Sequence, residues 1–176
     1  MKKLIAFVLF LSLTSCSLIE DYHRKETPFT EFEKGIAAFS SADYPKAMKY
    51  LTGPAESGNA DAQYIIGMIY LYGLTDVKNL YMAQKWLTMA AEEGQQAAQE
   101  QLAFLYRNEY TPLYNPITAY HWFSVIIEDN PQHQENMENL EWALRSRGLL
   151  RTAQTLPQPK EKRYKGVNFN SLFPLR

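Results

Sequence analysis

Apolar residues recur along the middle of the chain with the period of an α-helix. Ala62, Ile66 and Tyr70 follow one another at intervals of four residues, and Ala83 and Leu87 repeat the interval further on. This spacing places the side chains on one face of a helix. The pattern predicts a series of amphipathic helices whose apolar faces form a common core.

The pattern returns after 36 residues. The segment 58–67 (GNADAQYIIG) is echoed by 94–103 (GQQAAQEQLA), and Tyr50, Trp86 and Trp122 fall in the same register. A fixed period of this length is typical of stacked structural repeats, in which each unit buries its apolar face against its neighbours. We therefore expect an all-α fold, an α/α solenoid of helical hairpins.

Residues that begin and end helices repeat in the same register. Asp43, Asn79 and Asn115 are good N-caps for a second helix in each unit, and Pro116 suits a first helical position. Gly58, Gly94 and Asn130 are also 36 residues apart, and each is predicted to end a second helix in a left-handed conformation. Predicted first helices span 29–40, 60–72 and 96–108, and predicted second helices span 44–57, 80–93 and 116–129.

The two ends of this repeat region are less regular. The first unit has a shorter loop, and Pro54 predicts a kink or an early end of its second helix. After Asn130, apolar residues at Met137, Leu140 and Leu144 and then at 149–153 predict a degenerate fourth hairpin that caps the stack. The expected domain of about three hairpins plus this cap spans 29–156, with repeats at 29–58, 59–94 and 95–130 and the cap at 131–156.

The N-terminus has the features of an export signal. Lys2 and Lys3 precede an apolar stretch of ten residues, which is shorter than the roughly 20 that a membrane-spanning helix needs. Residues 1–15 are therefore expected to be cleaved as a signal peptide. The alternative to cleavage as a lipoprotein is cleavage at a nearby position as in an ordinary secreted protein.

The segment Leu13-Thr14-Ser15-Cys16 resembles the lipobox of bacterial lipoproteins. The resemblance implies that the Cys16 thiol is diacylated and that residues 16–28 tether the repeats to a membrane, since several acyl chains together give durable anchoring. The sorting rules of that class place a retention signal such as Asp directly after the cysteine. This chain has Ser17 at that position, so we expect the protein at the periplasmic face of an outer membrane.

Composition and charge narrow the function. Cys16 is the only cysteine, so no internal disulfide is expected. Without residues 1–15 the formal charge is −3, from 16 basic and 19 acidic residues, which does not suggest nucleic-acid binding.

The repeat resembles the Sel-one-like repeat, a relative of the tetratricopeptide repeat. The best match is 59–94, including Ile66-Gly67, Gly73, Trp86-Leu87 and the ending AAEEG at 90–94. The resemblance implies a solenoid that binds proteins. The loop of this chain departs from the family pattern at Thr75, Asp76 and Glu109, so the loop contacts of the family are not expected here. One branch of the family joins the helices of each hairpin by a pair of cysteines, and a chain with one cysteine does not belong to it.

No arrangement of residues predicts catalysis, a cofactor, a metal site or a small-molecule substrate. His23, His121 and His133 do not cluster in the sequence, and neither a metalloprotease motif nor a phosphate-binding glycine loop occurs. For His121 we expect a half-buried or surface position.

Six residues are candidates for a protein-binding surface because exposed Tyr and Arg are favoured in protein contacts and these lie off the phase of the core. They are Tyr64, Tyr72, Arg107, Asn108, Tyr110 and Tyr114. The alternative is ordinary packing at loops and helix ends.

The tail, residues 157–176, combines a basic run at 160–163 with Phe169, Leu172, Phe173 and Leu175. Two interpretations stand: the apolar end folds back on the solenoid, or it docks on a partner.

The sequence favours a non-enzymatic adaptor of the bacterial envelope, held to the membrane by lipid and binding other envelope proteins or peptides. An envelope enzyme or modulator acting on peptidoglycan or β-lactams is a second hypothesis, which rests on family analogy. A surface-exposed factor that engages host proteins is a third.

Overall fold

The computed structural model describes residues 30–75 and 78–155. The chain divides into two units, Met1–Thr30 and Glu31–Arg176, and every helix described here lies in the second. These helices are α1 (Glu31–Ser40), α2 (Tyr44–Glu56), α3 (Ala60–Tyr72), α4 (Leu80–Glu92), α5 (Gln96–Arg107), α6 (Pro116–Ile126), α7 (Gln134–Ser146) and α8 (Leu150–Thr155), with a 3-10 helix at Pro131–His133. The described residues contain no strand, so the predicted all-α fold is confirmed.

Consecutive helices pack as hairpins. The pairs α1–α2, α3–α4 and α5–α6 form the three units, and α7 with α8 packs on the end of α6. Large apolar side chains from successive helices fill one continuous core, which includes Leu51, Ile65, Ile66, Ile69, Leu87, Leu102, Phe123 and Leu144. Among the described residues no helix is long and apolar enough to cross a membrane.

The predicted N-caps of the second helices are confirmed. The side chains of Asp43, Asn79 and Asn115 each accept a hydrogen bond from the backbone N–H three residues further on, at 3.3, 3.0 and 3.1 Å. First helices begin in the same way, because Asn59 and Gln95 cap α3 and α5. These bonds satisfy backbone donors that a helix leaves unpaired in its first turn.

The ends of the second helices confirm two of the three predicted caps. Gly58 and Gly94 have positive φ values of 92° and 86°. Asn130 was predicted wrongly: its φ is −139°, and α6 already ends at Ile126. The reason is Pro131, because a proline ring pushes the preceding residue towards extended backbone.

Pro54 does not end the second helix of the first unit. The helix α2 runs through Pro54 to Glu56, and the backbone carbonyl of Pro54 accepts a hydrogen bond from Asn59 N–H at 3.0 Å. Only the carbonyl one turn before Pro54 loses its donor, because proline has no N–H. The predicted early end is therefore wrong.

Glycines allow the two helices of a hairpin to approach closely. A Cβ atom built on Gly67 would lie 2.8 Å from Cγ of Leu87, and one built on Gly35 would lie 2.5 Å from Cγ of Leu51. Leu51 and Leu87 are 36 residues apart, so the same contact recurs in two units.

Buried glutamines join one hairpin to the next. The side-chain amide of Gln63 on α3 donates to the backbone carbonyl of Ala55 on α2 at 2.9 Å, and Gln99 on α5 donates to Ala91 on α4 at 3.2 Å. Each carbonyl lies near the end of a second helix and also accepts from the backbone N–H of Gly58 or Gly94, so the glutamine is its second donor. The junction between units thus contains a repeated, directional contact as well as apolar packing.

Candidate protein-binding surface

Four of the six candidate residues lie exposed at the C-terminal ends of first helices. Tyr72 is the last residue of α3 and is 52% exposed, while Arg107 ends α5 and is followed by Asn108 and Tyr110. Because Tyr72 and Asn108 are separated by one repeat of 36 residues, they occupy equivalent positions in neighbouring hairpins. We call Tyr72, Arg107, Asn108 and Tyr110 the docking rim.

Tyr64 is not part of an exposed surface. It is only 3% exposed, so the exposure expected of it from its phase was wrong. Burial raises the pKa of the Tyr64 hydroxyl, and the nearby Tyr72 and Glu100 add to the rise.

Arg107 is held in place by two neighbours. Its guanidinium lies over the ring of Phe104, 5.2 Å from the ring centroid, and donates a hydrogen bond to Oδ1 of Asn136 on α7. A cation over an aromatic face is attracted by the ring quadrupole. The charge of Arg107 therefore stays at the surface in a defined position.

The loop after α5 presents Tyr110. Oδ1 of Asn108 accepts a hydrogen bond from the backbone N–H of Tyr110 at 3.0 Å, and the backbone carbonyl of Asn108 accepts one from Thr111 at 3.1 Å. This turn is typical of Asn, whose side chain mimics a backbone acceptor. Tyr110 itself is 91% exposed, so an ordered turn holds an aromatic side chain in solvent.

Tyr114 has a different environment. It is half-buried, and its hydroxyl accepts a hydrogen bond from Arg147 at 3.1 Å while the guanidinium lies 5.9 Å from the ring centroid. Arg147 follows α7. The structure therefore gives Tyr114 a contact between the third hairpin and the cap, and its predicted role in binding stays a prediction.

A contact centred on His133, which the sequence did not predict, joins the third hairpin to the cap. The buried His133 ring lies 2.8 Å from Oε1 of Glu100 on α5 and packs 5.6 Å from the ring centroid of Phe104. Glu100 and His133 are 33 residues apart, outside the 36-residue register, so periodicity could not pair them. His121 is half-buried as expected, and burial lowers its pKa.

Trp142 and Tyr81 are further exposed aromatic residues that the sequence reasoning missed. Trp142 on α7 is 74% exposed, and Tyr81 lies exposed at the start of α4. A signal for Trp142 was present, because it lies off the stripe of Met137, Leu140 and Leu144 that faces the core. Both residues serve below as controls, since neither belongs to the docking rim.

Within the two described segments, no group of three His, Cys, Asp or Glu side chains is placed to hold a metal ion. Predicted lipidation at Cys16 and the predicted segments 1–15 and 16–28 lie outside the described residues, as does the tail 157–176. The described surface therefore offers aromatic, amide and guanidinium groups, which are suited to contacts with polypeptide.

A comparison with protein-family models finds the Sel1 repeat at residues 31–52, 60–95 and 96–125, together half of the 176-residue chain. These three segments coincide with most of α1–α2, with α3–α4 and with α5–α6. In a comparison with curated proteins, none matches the sequence.

Proposed function

The chain belongs to the Sel1 repeat family, and from this premise we propose that it is a non-enzymatic scaffold lipoprotein that organises a protein complex of the bacterial envelope. Sel1 repeats indicate protein–protein interaction, and proteins built from them are typically interaction modules without enzymatic activity. The observation that carries the proposal is the docking rim, in which ordered helix ends hold Tyr72, Arg107 and Tyr110 at the surface.

The rim has the chemistry of a protein contact. Tyr and Arg are enriched among residues that dominate binding energy, because each combines a large apolar area with hydrogen-bonding groups. Arg107 is pre-ordered by Phe104 and Asn136, so less side-chain entropy is lost when a partner binds. The partner is another protein or peptide of the envelope.

In this proposal Cys16 carries the lipid that holds the scaffold at the periplasmic face of the outer membrane. The support is the sequence LTSC ending at Cys16, with Ser17 next to it. Cells grown with a palmitate analogue should yield labelled protein in the membrane fraction. Cys16→Ala should abolish the label and release the protein, whereas Ser17→Ala should keep the label. A Cys16→Ala variant that remained in the membrane would contradict the anchor.

Affinity purification of the anchored chain after crosslinking in cells tests the scaffold. We expect at least one specific partner, and at least a tenfold loss of that partner with Arg107→Ala combined with Tyr110→Ala. Trp142→Ala is the matched control, because it removes another exposed aromatic side chain, outside the rim. Equal loss in the control, or no specific partner for the unaltered chain, would contradict the proposal.

A further inference from the structure

The outward face of α3 is covered, whereas the equivalent faces of its neighbours are not. On α3 this face comprises Asp61, Tyr64, Ile65 and Met68, which are spaced at the helical period. All four are between 0 and 4% exposed. One repeat later on α5, the equivalent residues are Ala97, Glu100, Gln101 and Phe104, and each of these is partly exposed.

The first hairpin gives the same contrast. The glycine–leucine contacts at Gly35 and Gly67 set a register of 32 residues between α1 and α3. In that register Phe32 and Ile36 correspond to Tyr64 and Met68, and both are partly exposed. The helices α2 and α4 pack against α3. Gln63 and Gly67, which contact them, lie on the other side of α3 from this face. The burial of the α3 face therefore calls for a further covering segment.

With residues 1–15 expected to be cleaved, two terminal segments could supply it, and charge distinguishes between them. The described residues contain nine Lys or Arg and fourteen Asp or Glu, a net charge of −5. Residues 157–176 contain five basic residues and one acidic residue, a net charge of +4, whereas residues 16–28 contain two basic and three acidic residues, a net charge of −1. Attraction to the helical domain thus favours the C-terminal tail.

The tail also has the required reach and apolar pattern. After α8 ends at Thr155, 21 residues remain, which in extended form span up to about 70 Å. Helices pack about 10 Å apart, so the tail can return across several of them. Val167, Phe169, Leu172, Phe173 and Leu175 supply apolar side chains for a face that contains Tyr64, Ile65 and Met68.

We propose that the C-terminal tail, residues 157–176, lies along the outward face of α3 and occupies it as an internal ligand. Its basic residues neutralise the acidic domain, and its apolar residues cover α3. Since Tyr72 of the docking rim lies four residues after Met68 on the same side of α3, the tail competes with an external partner for neighbouring surface. This inference rests on the proposed docking role only for that competition.

A photo-crosslinking amino acid in place of Phe173 in the full chain tests the placement directly. Irradiation should join position 173 to α3 or α5 of the same molecule, detected by mass spectrometry of tryptic peptides. Charge reversal of Lys160, Lys162 and Arg163 to Glu in the same chain should lower the yield at least fivefold. The same probe in place of exposed Tyr81 is the control and should give no crosslink to residues 157–176.

The proposal is overturned if position 173 joins to second helices, to residues 16–28 or to another copy of the chain, or if it joins to nothing. It is equally overturned if charge reversal leaves the yield unchanged. These readouts need no partner, so they stand apart from the scaffold proposal.

Competition is measured with a chain that ends at Leu156, after all described helices. It should capture the external partner several-fold more than the full chain does. Reduced capture would identify the tail as a partner contact and overturn its role as a competitor. Absence of capture by both chains, with the crosslink intact, would count against the scaffold and leave the tail placement supported.

Discussion

At the scale of single residues, Ala42 carries backbone strain that a substitution should relieve. Its φ is +58°, in the turn between α1 and α2, where its backbone N–H donates to Phe39 at 2.9 Å. A left-handed conformation is costly for a residue with a Cβ atom, although glycine loses more entropy on folding. We expect Ala42→Gly to raise the free energy of unfolding by about 0.5–1 kcal/mol in urea titrations.

Gly58→Ala is the opposite control for this prediction. Gly58 has a φ of +92°, and a Cβ atom there would meet no other atom within 4 Å. Its substitution should lower the free energy of unfolding by about 1 kcal/mol through backbone strain alone. Changes of the same sign in both variants would contradict the explanation.

His121 should make the domain less stable in acid. Burial lowers its pKa below the ordinary 6.5, so the unfolded chain takes up a proton before the folded chain does. The contribution of His121 to stability is therefore present above about pH 6.5 and is lost as the pH falls through its lowered folded-state pKa. The free energy of unfolding should decrease less between pH 7.5 and pH 5.5 in His121→Gln than in the unaltered chain. Equal decreases would refute the assignment, since His133 is present in both.

Predictions for single residues were confirmed at the N-caps of second helices, and were wrong where a neighbouring proline or the burial of a side chain was not foreseen. Asp43, Asn79 and Asn115 cap helices because a short polar side chain beside a helix start has little else to bind. Asn130 failed through its neighbour Pro131. Tyr64 is buried although its phase predicted exposure, and the contact of His133 with Glu100 joins two elements that are distant in the sequence. Neither can be found from a period.

At the scale of elements, the close approach of α3 and α4 depends on Gly67. An alanine there would bring its Cβ atom to 2.8 Å from Cγ of Leu87. We expect Gly67→Ala to lower the free energy of unfolding by about 1–3 kcal/mol through overpacking. In a Leu87→Ala background the same change should cost less, and a double-mutant cycle measures the difference. Additive effects would show that Leu87 is not the obstacle.

The junction between units should depend on its buried glutamine. Gln99→Ala removes the side-chain donor to the Ala91 carbonyl, which keeps the Gly94 backbone N–H as a second donor. The loss of this one hydrogen bond should lower the free energy of unfolding by about 0.5–1.5 kcal/mol. Gln101→Ala on the same helix is the control. Gln101 is partly exposed, so its loss should change stability by less than about 0.5 kcal/mol. Similar losses in thermal unfolding of both variants would argue against a role for the junction bond.

Helix positions were predictable because apolar period, caps and repeat all agree. The predicted bounds 60–72 and 80–93 differ from α3 and α4 by at most one residue. The prediction 116–129 extended three residues beyond the end of α6 at Ile126, since it relied on the cap at Asn130. Of the two alternatives predicted at Pro54, the early end did not occur, because the packing of Leu51 and Ala55 into the core outweighs one lost hydrogen bond.

At the scale of the whole molecule, the described helices form a repeat domain that presents two kinds of surface. The docking rim projects Tyr72 and Tyr110 into solvent, while the face of α3 is closed. Sequence analysis predicted the fold class and four exposed rim residues from register and composition. It could not rank the exposed aromatic residues, because exposure of a side chain such as Trp142 depends on where the stack ends.

The most direct test of the scaffold account places a photo-crosslinking amino acid at Tyr110 in the full chain in living cells. The account predicts a small set of specific crosslinked envelope proteins from Tyr110, and their absence when the same probe replaces Tyr81. The same products from both positions, or no protein crosslinked at Tyr110, would contradict the docking rim and the function proposed for it.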